Sequence, residues 1–97
     1  VALLEDVKLA LRIDDSAFDL EIQDLIDAAK ADLQLSGVSE TKVNDSTDPL
    51  IKRAIIIYCR AHFDYDDRVA ERLLQSYVML KTHLTLTEEY STEEIGT

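Results

Sequence analysis

Residues 48–61 read DPLIKRAIIIYCRA, and the fold turns on this stretch. Asp48 ahead of Pro49 is a strong helix start, because the carboxylate caps free amides and proline loses nothing at the first helical position. Beyond it, Ile51, Ala54, Ile55, Tyr58 and Ala61 recur at three and four residues, which predicts a helix from Pro49 to about Asp64 with those side chains inward. The three isoleucines at 55–57 are more than one stripe needs. Such a helix is buried on two sides, either at the centre of a bundle or against another subunit.

Upstream, residues 37–48 (GVSETKVNDSTD) carry no helical period and read as a connecting loop. Before that loop, Ile22, Leu25, Ile26, Ala29 and Leu33, led by Leu20 or Phe18, form the stripe of a second helix. Ser16 and Asp19 have capping-box spacing at its start, and Gly37 stands where a left-handed C-terminal cap is expected. Leu3, Leu4, Val7, Ala10 and Leu11 mark a first helix over residues 2–12, interrupted by Asp14 and Asp15.

Downstream, Asp66 and Asp67 give an acidic start to a fourth helix carrying Val69, Leu73, Tyr77 and Leu80, with Leu74 and Met79 beside that stripe. From Thr82 the period changes: Leu84 with Leu86, and Thr85 with Thr87, alternate like an extended strand. The Glu-rich residues 88–97 read as a mobile tail. The expected architecture is all-α: a four-helix small domain over residues 1–84, with a loop between helices 2 and 3, and an extended or flexible acidic tail over residues 85–97.

The 97-residue chain is long enough for one domain. Its 20 acidic against 10 basic residues give a formal charge of −10, which repels phosphate backbones and anionic lipids, so DNA or RNA binding by bulk electrostatics is not expected. The charge is uneven: residues 1–48 hold twelve acids and four bases, residues 49–84 four acids and six bases, and residues 85–97 four acids. An acidic first half and a net-positive stretch over residues 49–84 supply the ingredients for head-to-tail association between copies, the alternative being that these charges merely solvate exposed faces. Glu21 and Asp24 on one side, and Arg60, Arg68 and Arg72 on the other, are the candidate subunit-interface residues. Two glycines far apart rule out a Gly-rich phosphate loop. No apolar run is long enough for a membrane span, no basic-then-apolar leader is visible, and a single cysteine allows no internal disulfide. A soluble protein in a reducing setting is expected, with no membrane association.

Clusters with chemical potential are few. Cys59 and His62, with Asp66 a turn further, are too few ligands for a metal, and the pair lacks the oxyanion pocket of a nucleophile and base. Asp64, Asp66 and Asp67 resemble the start of a calcium loop, but Val69 and Gln75 stand where Gly and Glu are required. Asp14, Asp15 and Asp19 are explained by helix capping. Tyr58 is expected in the core, and Arg68 or Arg72 at an interface. No catalytic residue, cofactor or metal site is expected.

Taken in order, these residues resemble the small head-tail connector, or adaptor, family of long-tailed phages and their prophages, whose members are also described as DNA-packaging proteins. Leu4, Val7, Lys8, Leu11, Arg12, Ile13 and Asp14 match its opening LxxVKxxLRID; Asp19, Ile22, Leu25, Ile26, Ala28, Ala29, Leu33 and Gly37 follow its second helix. Pro49, Ile51, Lys52, Ala54 and Ile55 match PxIKxAI, and residues 65–68 resemble the close of that helix. The resemblance spans residues 3–68. It implies a non-enzymatic virion-neck protein, assembled in the host bacterial cytoplasm as a homo-oligomeric ring of about a dozen copies. Such a ring docks under the portal protein, passes DNA without binding it specifically, and receives stopper or tail-completion proteins. The alternative is a small acidic helical regulator or carrier that binds one helical partner in a groove.

Overall fold

The structure, a computed structural model, describes residues 2–63 and 67–91. Five helices occur among them: α1 (Ala2–Leu11), α2 (Asp19–Ser36), the short α3 (Glu40–Val43), α4 (Pro49–Phe63) and α5 (Asp67–Leu86). The all-α expectation holds, and the four long helices are those the periodicity predicts. The connection between the second and third predicted helices is not wholly loop, because Ser39 accepts a hydrogen bond from the Lys42 amide and nucleates α3. With only one full turn, α3 has too few residues to show a period.

Helix α4 is the centre of the molecule, packed against α1, α2 and α5. That decides between the two explanations of its isoleucine run: Ile51, Ala54, Ile55, Ile57, Cys59 and Ala61 are all buried within this one chain. The core around it adds Val7 from α1, Ile22, Ile26, Ala29 and Leu33 from α2, and Tyr77 and Leu84 from α5. The result is flat, with principal extents of 47 × 30 × 18 Å.

Helix ends follow the local chemistry at two places. Gly37 closes α2 at φ 119°, its amide reaching the Gln34 carbonyl while Val38 reaches that of Leu33. A side chain at that φ is strained even though space for a Cβ exists. Asp48 Oδ1 accepts from the amides of Leu50 and Ile51 at 2.9 and 3.2 Å, capping α4 as expected.

Three expectations are corrected. The Ser16–Asp19 capping box does not form: α2 starts after Phe18 with no side-chain cap, and Asp19 instead pairs with Lys8 Nζ at 2.8 Å. An ion pair to a neighbouring helix outcompetes a local cap made with the short Asp side chain. Neither residue expected to lead the α2 stripe is buried: Leu20 is 88% exposed and Phe18, 40% exposed, stands just ahead of the helix edge-on to Phe63, so the buried stripe begins at Ile22. The alternating stretch from Thr82 is the last turn of α5, not a strand. Thr85 and Thr87 hydroxyls donate to the carbonyls of Thr82 and His83, so these β-branched residues satisfy their polar groups on the helix itself.

The segment after α5 is also packed instead of mobile as far as Ser91. Residues 87–90 turn back, Tyr90 is buried, the Ser39 amide donates to the Tyr90 carbonyl, and Val38 pairs with Ser91 as one antiparallel bridge. The rest of the acidic tail lies outside the described residues.

Candidate subunit interface

Among the described residues four lysines tie helices together through five of the 20 acidic side chains. Lys8–Asp19 joins α1 to α2, Asp6–Lys52 (3.0 Å) joins α1 to α4, and Asp32–Lys81 (3.0 Å) joins α2 to α5. Lys42 lies 3.1 Å from Glu89 and 3.7 Å from Asp48, and 5.0 Å above the Tyr90 ring, fastening α3 to the segment after α5. Asp32 also accepts from the Tyr77 hydroxyl at 2.5 Å. Burial pushes the Asp32 carboxyl up, but Tyr77 and Lys81 outweigh it and hold the group below the ordinary aspartate value. Asp48 behaves alike: burial raises it, and the Tyr90 hydroxyl with the amides of Ile51 and Leu50 lowers it further. Sequence reading missed Tyr90; its signal was a lone aromatic among glutamates.

The interface candidates stand apart from these ties. Glu21 and Asp24 are exposed about one turn apart on α2 and form no ion pair among the described residues. Arg68 and Arg72 are exposed one turn apart on α5, whereas Arg60 is only half exposed near the end of α4. Helices α2 and α5 both lie against α4, and no ion pair joins Glu21 or Asp24 to Arg60 or Arg72 among the described residues.

Cys59 and His62 do not form a chemical pair. Cys59 is fully buried, which pushes its thiol up to about 12, far from a reactive thiolate at neutral pH. His62 is exposed and lies against Tyr58, ring centroids 4.2 Å apart, and Tyr58 in turn meets Tyr77 edge-on at 5.2 Å. Tyr58 is half-buried at the edge of the core. Asp64, Tyr65 and Asp66, which figured in the calcium-loop, metal and family-motif readings, lie outside the described residues. Among the described residues no group of three or more metal-ligating side chains is gathered, and no helix is long and apolar enough to cross a membrane.

A family profile described as phage connector protein matches residues 3–91. The chain belongs to the phage connector protein family. The match runs from α1 to the Val38–Ser91 bridge, so it includes α5 and the packed turn that lay beyond the sequence resemblance. No curated protein and no solved structure matches the chain. As a phage connector protein it is a structural virion component that works alongside other head and tail proteins.

Proposed function

We propose that this phage connector is a head-tail adaptor that assembles as a ring under the portal, extends the DNA channel and presents a docking surface to stopper or tail-completion proteins. The observation that carries the reading is a family match covering every helix of the domain. A net charge of −10 supports it, because a channel wall that bound DNA tightly would hinder its passage. Glu21 and Asp24 of one copy face Arg60, Arg68 or Arg72 of the next, the arrangement that a heterologous, ring-closing contact requires. The protein has no enzymatic role; it acts in the virion neck after assembly in the host cytoplasm.

The test is sedimentation velocity with negative-stain microscopy over a range of concentrations, alone and with purified portal rings. Rings with a central hole, or co-sedimentation with the portal, are expected. A monomer that ignores portal rings at every concentration overturns the proposal. That outcome favours the alternative, a helical carrier, which the apolar groove along α5 lined by Leu74, Val78 and Met79 would serve. Arg68→Glu with Arg72→Glu weakens assembly; unchanged rings in that double variant sink the charge pairing.

A further inference from the structure

Helix α5 has two apolar faces, and the core uses one of them. Tyr77 and Leu84 are buried against α4, with Leu73 and Leu80 beside them. On the other side Leu74, Val78 and Met79 are 39, 50 and 65% exposed, and with Glu71 and Gln75 they line a shallow groove. Spacings of three and four place all five on one helical face, with Arg68 and Arg72 at its N-terminal end.

Helix α2 carries the matching surface. Its solvent face runs from Leu20 to Leu35, both 88% exposed, about 22 Å apart at the helical rise. Between them lie Asp24 and Asp27, then the small residues Ala28 and Ala31, all exposed. Acids fill the N-terminal half of the α2 face, and arginines the N-terminal end of the α5 face. Large side chains on α5 come level with small ones on α2 when the two helices run parallel.

We infer that the outer face of α5 is covered by the outer face of α2 from a second copy, the helices parallel, with Leu74, Val78 and Met79 over Ala28 and Ala31, and Arg72 toward Asp24 and Asp27. Charge complementarity selects this occupant: the groove has arginines at one end, and the α2 face sets Asp24 and Asp27 level with them and the small Ala28 and Ala31 level with Leu74, Val78 and Met79. Within one copy α2 and α5 both lie on α4 and meet each other through the Asp32 tie, and each turns to solvent the face opposite its buried residues. Each copy thus offers one donor and one acceptor face, and the contact propagates head to tail. This inference rests on the ring reading above and specifies its interface.

The experiment reads assembly by sedimentation velocity, on portal rings where the chain assembles only there. Val78→Asp and Met79→Asp, both at exposed positions, raise the concentration needed for assembly at least about tenfold. Arg72→Glu weakens assembly, and adding Asp24→Arg to that chain restores it. Arg53→Glu, an equal change in net charge at an exposed site on α4, leaves it unchanged. Rings that form normally with Val78→Asp overturn the interface while the ring reading stands. Failure of Asp24→Arg to restore assembly, or equal weakening by Arg53→Glu, also overturns it. A wild-type chain that never assembles, alone or on portal rings, removes both.

Discussion

Asp48 shows how much one side chain carries in a small domain. Its Oδ1 caps α4 through two amides, and both of its oxygens accept from the Tyr90 hydroxyl, at 3.1 and 2.9 Å. A hydrogen bond to a charged, buried group is worth more than an ordinary one, so Tyr90→Phe, which keeps the ring, costs on the order of 1–3 kcal/mol at pH 7. Urea unfolding checks this. The lowered Asp48 value also fixes the pH sign: its stabilisation is present above the unfolded value of 3.8 and is lost as pH falls through the still lower folded value. The gap between wild type and Tyr90→Phe therefore narrows below about pH 4, and equal stability at pH 7 would show that the hydroxyl contributes nothing. The Asp48–Pro49 start was legible because a cap and its amides are three residues apart at most. The Tyr90 partner was not, because it lies 42 residues away.

At the scale of the element, α5 is where local pattern and tertiary packing disagree. Alternation over residues 82–87 places Leu84 and Leu86 on one face; a helix turns them about 200° apart. The structure follows the helix, with Leu84 at 1% and Leu86 at 80% exposure. Leu84→Ala accordingly destabilises by about 2–5 kcal/mol, the range for emptying a core site, and Leu86→Ala changes stability by less than about 0.5 kcal/mol. Thermal denaturation of the two variants decides the matter, since a strand would make their effects alike. The sequence was misleading here because threonines favour strands only until burial of Leu84 outweighs that preference. Gly37 at the end of α2 was legible for the opposite reason: a left-handed cap is a requirement of the backbone itself.

At the scale of the whole molecule, the acids divide into those that hold the helices together and those that face outward. Asp32 ties α2 to α5 and, being held below its ordinary value, stabilises the fold above pH 3.8 and ceases to do so as pH falls through its folded value. Asp32→Asn keeps an acceptor for Tyr77 but loses the pairing with Lys81. Because the site is partly solvated, the expected cost at pH 7 is only on the order of 1 kcal/mol. Urea midpoints measured from pH 7 to pH 2 should converge for the two proteins at the acid end; a constant gap would place the cause in packing. On the alkaline side Lys8 and Lys42 are raised, first by their hydrogen bonds to Asp19 and Glu89, so those ties persist until pH rises through values above 10.5.

Sequence alone determined the class, the four long helices, the central place open to α4, and the connector resemblance. Each of these rests on spacings of three or four residues, on caps adjacent to what they cap, or on such motifs taken in order. Tertiary structure alone decided that Asp19 pairs with Lys8 instead of capping α2, that Phe18 meets Phe63 while Leu20 faces solvent, that α5 continues to Leu86, and that Tyr90 is buried. It also decided which apolar residues of α2 and α5 are left uncovered. The contacts of Asp32 with Tyr77 and Lys81, and of Asp48 with Tyr90, join residues 42 to 49 apart, and no local period encodes a partner at that distance. The energy of those contacts exists only once the chain has closed on itself.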